Sequence, residues 1–141
     1  LPDKDQPVAA AFTDDSTAFV LTGKYLYKIE PNGKPRMQRF KPQPSVRFGK
    51  GWAAMLVDRK NRLWLGGSNG VLRFENGAWH YISEKNGLVS GSIRSMMEDV
   101  EGNIWIGSYT AGVSKILSTN VVSFNQGGNT KFTLVNCILS L

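Results

Sequence analysis

Short apolar segments separated by clusters of turn-forming residues run along most of the chain. In the clearest stretch, an apolar run over 92–98 leads into the sequence DVEGN at 99–103. Aspartate favours the start of a tight turn and Gly102 tolerates positive φ, so this segment predicts a hairpin. An Ile-Trp-Ile strand, apolar on both faces, follows at 104–106, and residues 113–116 alternate at period two. With a last apolar segment at 121–124, the pattern predicts four strands in one unit.

Helical periodicity is missing from the sequence. No window of useful length places apolar residues at i, i+3, i+4 and i+7, and the 15 glycines disfavour long helices. The chain is therefore predicted to be all-β.

The four-stranded unit occurs more than once. Residues 58–66 repeat residues 99–107 at an offset of 41, and each copy has a second glycine behind it, Gly70 or Gly112. A period of about 40 residues is typical of propeller blades. A more divergent copy lies upstream, where Phe19 takes the place of the repeat tryptophan. There Asp14 is expected at the place of Asp99, with one turn residue fewer.

The spacing also predicts the beginning of a further unit. Ile82 to Ile93 and Phe124 to Val135 are both steps of 11 residues, which places the end of the chain on a first strand. We therefore predict an incomplete, β-propeller-like all-β fold with about three four-stranded blades and the first strand of a fourth. The expected bounds are about 8–40, 52–82 and 93–124 for the blades and about 132–141 for the added strand. Because propellers close with about four to eight blades, we expect a segment of a longer polypeptide or a ring completed by association of copies.

Charge is concentrated in one part of the chain. The formal net charge is +6, and residues 24–62 contain eleven Lys and Arg but only Glu30 and Asp58 as acids. An anionic partner is one interpretation, and a soluble outer surface is the default alternative. The sequence has no zinc-ligand spacing, basic helix or aromatic RNA-binding signature, so we expect no nucleic-acid partner. Cys137 is the only cysteine, which excludes a disulfide within the chain.

The repeat signature resembles the two-component regulator propeller repeat. It consists of residues 96–107 with Gly112 and Val113, and of residues 56–66 with Gly70 and Val71. The segment KNGLVS at 85–90 is also similar to the link that this family places between blades. The resemblance implies a sensor region outside the cytoplasm of a bacterial inner-membrane protein, ahead of a histidine kinase, a hybrid two-component regulator or a diguanylate cyclase. Membrane attachment is then expected through segments outside this chain, with the sensor in the periplasm.

Loops on one face of the predicted blades form the expected binding surface. The links at 41–51, 84–92 and 125–130 share this face with the turns at 67–69 and 108–111. Family members often bind oligosaccharides, so an oligosaccharide or a small anion is the expected ligand, although no residue here matches a family ligand motif. The candidate ligand-binding residues are Trp52, Arg94, Tyr109, Arg47 and Lys50. Core or rim packing is the alternative for the two aromatic residues, and exposure to water is the alternative for Arg94.

Other conspicuous residues have structural interpretations. Trp64 and Trp105 lie inside apolar strands and are expected to pack between blades, while Asp58 and Asp99 are expected to cap turns. His80 has no second His or Cys at metal-ligand spacing, and no catalytic motif occurs in the sequence. We therefore expect no catalytic residues, no metal and no cofactor.

The sequence is compatible with three functions. The first is a non-catalytic ligand-sensing segment of a bacterial signalling protein. The second is a protein interaction scaffold, and the third is a propeller enzyme of the lyase or glycan-active type. Exposed strand edges and the apolar segment at 132–139 also predict self-association, as a dimer, with that segment at or near the contact.

Overall fold

The computed structural model describes residues 6–22, 25–31, 37–40, 54–109, 111–117 and 121–124, with only the backbone described at 37–40. These ranges contain twelve β-strands and one short 3-10 turn between the eighth and ninth strands. The strands are β1 Pro7–Phe12, β2 Ala18–Thr22, β3 Leu26–Ile29, β4 Met37–Phe40, β5 Ala54–Val57, β6 Leu63–Gly66, β7 Val71–Glu75, β8 Ala78–Ile82, β9 Ile93–Glu98, β10 Ile104–Ser108, β11 Val113–Ile116 and β12 Val121–Phe124. The predicted strand at 132–141 lies outside the described residues.

Each group of four consecutive strands forms one antiparallel sheet. The strand orders are β1-β2-β3-β4, β5-β6-β7-β8 and β9-β10-β11-β12, and we call these sheets blades 1, 2 and 3. The first strands lie side by side, because β5 contacts both β1 and β9. Sheets that meet along their first strands form the radial stack of a propeller. The prediction of an all-β, incomplete propeller is confirmed.

The hairpin between the first and second strands has the same geometry in all three blades. Asn61 and Gly102 adopt positive φ, 56° and 82°, as their residue types predict, and Ser16 does so at 65°. The N–H of Asp58 and of Asp99 donates to the carbonyl four residues on, and the N–H of Thr13 does the same. The expectation that Asp14 replaces Asp99 in a shorter turn is therefore wrong. Thr13 takes that place in a turn of equal length.

The interface between blades 1 and 2 holds one core cluster. It contains the buried side chains of Leu21 and Leu26 from blade 1 and of Leu63, Leu65 and Leu72 from blade 2. Because side chains alternate along a strand, Leu63 and Leu65 point to blade 1 while the residue between them points to blade 3. Strand β6 is thus buried on both faces, as its apolar sequence predicts.

The interface between blades 2 and 3 holds the second cluster. Blade 2 contributes Trp64, whose side chain is 0% exposed, and blade 3 contributes an isoleucine layer. The buried members of the cluster are Ala54, Trp64, Val71, Leu88, Ile93, Ile104, Ile106 and Ile116. The expectation that Trp64 packs between blades is confirmed.

Gly66 permits the first strand of blade 3 to approach blade 2. A Cβ built at this position would lie 2.4 Å from Ile93 Cγ2 and 2.9 Å from Ile93 Cβ. Distances this short do not occur between real side chains, so only glycine fits here without movement of a strand.

The 3-10 turn over Glu84–Asn86 is the only helical element in the described ranges, and no helix with the length and hydropathy of a membrane span occurs there.

Candidate functional site

The link between blades 2 and 3 lies against the turns that follow β6 and β10. The N–H of Ile93 donates to the carbonyl of Gly67 at 2.8 Å, and the N–H of Tyr109 donates to the carbonyl of Ser92 at 2.9 Å. One face of the stack, which we call the link face, therefore collects the link at 83–92 and both turns. This is the grouping of loops that the sequence predicts, as far as the described residues extend.

Local hydrogen bonds fix the conformation of this link. The N–H of Ser83 donates to Asn86 Oδ1 at 3.0 Å, which closes a 3-10 turn over Glu84–Asn86, and Gly87 ends it at a φ of 102°. Leu88 is buried in the core between the blades, so the link is anchored there. Beyond it, the N–H of Gly91 donates to Glu84 Oε1 at 2.8 Å. A link held at so many points presents its polar groups in a defined arrangement.

A groove of about 430 Å³ opens on the link face between the link and the β6–β7 turn. It combines hydroxyl, amide, carboxylate and ammonium groups with one exposed tyrosine ring. Its lining residues are Ser68, Asn69, Tyr81, Ser83, Glu84, Lys85, Gly91 and Ser92. Grooves with several convergent polar groups and an aromatic surface suit small polar ligands, such as sugars, that offer donors, acceptors and a C–H face.

Gly70 determines how Tyr81 enters this groove. A Cβ at Gly70 would lie 2.8 Å from Tyr81 Cε2, and the φ of Gly70 is 139°. The Tyr81 ring therefore occupies space that a side chain at Gly70 would fill, and its hydroxyl donates to the carbonyl of Asn69. Tyr81 was missed in the sequence because it lies on β8, an outer strand. The signal that could have identified Tyr81 is its pairing with Leu72, a residue that lies two positions after the repeat glycine Gly70.

The predicted site residues divide into two groups. Tyr109 is an exposed residue at the link face, joined through its N–H to Ser92, and Arg94 is half-buried on β9. Neither side chain lines the groove. Arg47, Lys50 and Trp52 lie outside the described residues.

The repeated aspartates have a second contact besides their turns. Asp58 Oδ1 accepts hydrogen bonds from the N–H groups of Lys60 and Arg62, at 3.0 and 2.9 Å, as expected for a turn cap. Asp58 Oδ2 accepts one from Trp64 Nε1 at 2.8 Å, and Asp99 Oδ2 accepts one from Trp105 Nε1 at 2.8 Å. Each aspartate thus also fixes the orientation of its repeat tryptophan. This role is structural.

The Asp99 carboxyl group has a shifted pKa. Burial raises this pKa, but hydrogen bonds from Asn103, Trp105 and Lys115 to the carboxylate lower it by a larger amount. The pKa therefore lies well below the ordinary value of 3.8. A carboxylate that accepts several hydrogen bonds remains ionised. His80 is exposed on β8, and in the described ranges no group of three or more His, Cys, Asp or Glu is placed to hold a metal ion.

A second, smaller cavity lies on the opposite face of the stack, between the β5–β6 and β9–β10 turns. Its volume is about 280 Å³, and its lining includes Lys60, Arg62 and Arg73. No sequence pattern predicts this cavity, because Arg62 and Arg73 meet only through the pairing of β6 with β7.

Residues 87–110 match the family model described as two component regulator propeller. The matched segment covers the second half of the link, β9, and β10 with its following turn. The resemblance predicted from the repeat signature is confirmed. No curated protein sequence matches the chain significantly.

Several solved structures are similar to the chain. The extracellular domain of BT3049 from B. thetaiotaomicron, assigned as a hybrid two component system, gives a TM-score of 0.71 at 12% identity, covering 92% of this chain and 18% of its own. A streptogramin B lyase gives 0.69 at 14% identity, covering 91% of this chain and 43% of its own. A catalytically inactive virginiamycin B lyase from Staphylococcus aureus, with quinupristin, gives 0.69 at 14% identity, with coverages of 92% and 44%.

These similarities show the fold. At identities of 12–14% they carry no function to this chain, and the chain spans less than half the length of each of these three structures.

Proposed function

We propose that this chain is a non-catalytic, ligand-sensing segment of a propeller in the extracytoplasmic region of a bacterial membrane-associated signalling protein. The observation that carries the proposal is the link-face groove, in which a rigid interblade link and a second-to-third-strand turn place polar groups around Tyr81. The family match at 87–110 supports the sensor assignment. The shared fold with the extracellular domain of BT3049 is consistent with it.

The groove suits a neutral or weakly charged polyhydroxylated ligand such as an oligosaccharide. Its walls supply Ser68, Ser83 and Ser92 hydroxyls, and Glu84 and Lys85 add one charge of each sign. A sugar hydroxyl both donates and accepts, so it satisfies mixed walls better than an ion with only acceptors. The exposed ring of Tyr81 offers an apolar surface for the C–H face of a sugar ring.

Binding at the groove would reach an output through the packing of blades. The link is anchored in the interface between blades 2 and 3: Leu88 is in its core, and the N–H of Val89 donates to Ser114 Oγ on β11 at 2.9 Å. A ligand that favours one arrangement of link and blade shifts the population of that arrangement. A signal would then pass to segments that follow the propeller.

Thermal shift and calorimetry with a panel of neutral and acidic di- to hexasaccharides test the binding. We expect at least one sugar to raise the melting temperature in a concentration-dependent way, since ligands that bind only the folded state stabilise it. Tyr81→Ala should weaken that binding about fivefold or more, in line with a stacking contribution of about 1 kcal/mol or more. His80→Ala, a neighbour on β8 outside the groove, is the matched control and should leave binding unchanged.

Two results would contradict the proposal. One is a panel in which no sugar binds, and the other is binding that Tyr81→Ala does not weaken. The signalling part is tested by the parent gene, which should encode a transmembrane helix and a kinase or cyclase domain. A complete soluble protein with neither would remove the sensor assignment while leaving sugar binding to be judged separately.

A second candidate function is association with a further copy of the chain. The outer face of blade 3, which we define as Met97, Trp105, Val113, Val122 and Phe124, points away from blade 2. Val122 and Phe124 are 41% and 52% exposed, and Phe124 stacks on Trp105 at 5.9 Å between ring centroids. The equivalent face of blade 2, which contains Trp64, is covered by another copy of the four-stranded unit, namely blade 3. By analogy, a second copy of the chain is favoured as the partner that covers the outer face of blade 3.

A further inference from the structure

The cavity on the face opposite the link face has two chemically different walls. Blade 2 supplies the cationic residues Lys60, Arg62 and Arg73, and blade 3 supplies Ile104, Ile116 and Leu117. The other lining residues are Trp64, Glu101, Gly102 and Asn103. A cavity with a donor wall facing an apolar wall suits an amphipathic small molecule.

The guanidinium groups of the donor wall are fixed in place. Arg62 Nε lies 2.5 Å from Asp58 Oδ2, and Arg73 Nη2 lies 3.2 Å from Glu75 Oε2. Both guanidinium carbons lie over the Trp64 ring, at 5.4 and 5.6 Å from its centroid. Each arginine is thus held by a carboxylate and an indole ring. Groups that are already ordered lose little conformational entropy when they bind a ligand.

Arg73 has a buried donor that no described residue satisfies. Its Nε–H is buried, and no hydrogen-bond acceptor for it occurs in the part of the chain that the structure describes. A buried donor without a partner destabilises the fold, so Arg73 would gain from an acceptor brought next to it. Asp58 and Glu75 contact other nitrogens, Arg62 Nε and Arg73 Nη2, and they do not line the cavity.

The charges around the cavity nearly balance. The two guanidinium groups lie against Asp58 and Glu75. Lys115 is shared between Asp99 and Glu101, at 3.4 and 3.6 Å, so Glu101 and Lys60 remain as one charge of each sign on the lining. A monoanion disturbs this balance less than a dianion does.

We propose that this cavity binds a small monocarboxylic acid, with the carboxylate on Arg73, Arg62 and Lys60 and the apolar part against Ile104, Ile116 and Leu117. A planar carboxylate matches the fork of donors on a guanidinium. The site lies between blades 2 and 3 on the face away from the link, so it is separate from the link-face groove. A ligand bound there would contact the interface between blades 2 and 3 from the face opposite the link-face groove.

Nuclear magnetic resonance of the 141-residue chain labelled with ¹⁵N-arginine tests this proposal directly. The Nε–H signal of Arg73 is assigned by its loss in Arg73→Lys. The probes are sodium benzoate, benzyl alcohol as its uncharged counterpart, and sodium acetate as a carboxylate with little apolar surface, all at constant ionic strength. We expect a saturable shift of the Arg73 Nε–H signal with benzoate, weaker binding of acetate and no shift with benzyl alcohol.

Variants distinguish binding in this cavity from binding at the link face. Lys60→Gln should weaken benzoate binding about threefold, because an exposed ion pair contributes only modestly to affinity. Lys85→Gln removes the same charge at the link face and Tyr81→Ala alters the groove, and both should leave benzoate binding unchanged. The Lys60 result does not depend on whether Arg73→Lys folds.

Three outcomes would overturn the proposal. An Arg73 Nε–H signal that does not shift with benzoate overturns it. So does a shift that benzyl alcohol or sodium chloride reproduces, or benzoate binding that Lys85→Gln weakens as much as Lys60→Gln. None of these results bears on the sugar binding proposed for the link face.

Discussion

Asp58 and Trp64 are joined by a hydrogen bond of 2.8 Å from the indole Nε1 to the carboxylate Oδ2, inside the interface between blades 2 and 3. Asp99 and Trp105 repeat this bond in blade 3 at the same length. In blade 1 both partners are different: Thr13 takes the place of the aspartate, and Phe19, which has no N–H, takes that of the tryptophan. The carboxylate and the indole therefore occur together or not at all in the described copies.

Loss of the Asp58 carboxylate should strongly destabilise the fold. Asp58 is buried and accepts from two backbone N–H groups, from Trp64 Nε1 and from Arg62 Nε. Removing one partner of a buried pair leaves the others unsatisfied, so Asp58→Ala should lower the free energy of unfolding by about 3–5 kcal/mol. Urea denaturation measures this. Asp14→Ala, at an exposed aspartate in the turn of blade 1, is the control and should change stability by less than about 0.5 kcal/mol.

Stability should fall in acid partly through Asp99. Its pKa is below 3.8 in the folded state because hydrogen bonds to the carboxylate outweigh the effect of burial. The unfolded chain therefore binds the proton more readily, and the stabilisation is present above the unfolded value and lost as the pH falls below it. Urea denaturation between pH 7 and pH 2 should show a loss below about pH 4. That loss should be smaller in Asp99→Asn, and equal losses in both proteins would contradict this assignment.

Gly66→Ala should disturb the contact between blades 2 and 3. The new Cβ would meet Ile93 on β9, a residue that is completely buried. Overpacking of this kind costs about 1–3 kcal/mol, and we expect a loss of that size in chemical denaturation. Gly77→Ala provides a comparison, because a Cβ there meets nothing within 4 Å and only the positive φ is strained. A Gly66→Ala protein as stable as the parent would show that the strands do not approach so closely.

Self-association should depend on the outer face of blade 3. Phe124 is half-exposed there and stacks on Trp105, so Phe124→Ser should reduce dimer formation about tenfold, as expected for removal of an aromatic side chain from an interface. Light scattering over a concentration series is the measurement. Phe12→Ser alters an exposed phenylalanine on blade 1 and should leave the dimer intact. A strictly monomeric parent protein would contradict the self-association proposal.

The fold could be predicted because the repeat imposes the same requirements on each copy. Turn residues such as Asn61 and Gly102 recur where the backbone needs positive φ, and the strands between them are apolar wherever two blades meet. The error at Asp14 has a physical cause. Threonine also caps a turn through its side-chain oxygen, since the N–H of Thr17 donates to Thr13 Oγ1, but a search for aspartate does not find it.

The candidate site was predictable only as a surface. The sequence placed the link at 84–92 and the turn at 67–69 on one face, because alternation along a meander fixes which loops are on the same side. It did not select Tyr81, whose position depends on the missing side chain of Gly70. It also did not place Arg62 beside Arg73, because that contact arises across paired strands and not from neighbours in sequence.

The division of the apolar core into two separate layers has a consequence for the order in which the blades unfold. Blade 2 is the only described sheet that belongs to both layers, so an amide in β6 can exchange with solvent only after each flanking sheet has been released. Units coupled to nearest neighbours open from the ends. Hydrogen exchange should therefore be slowest in the middle of the stack and faster towards either side.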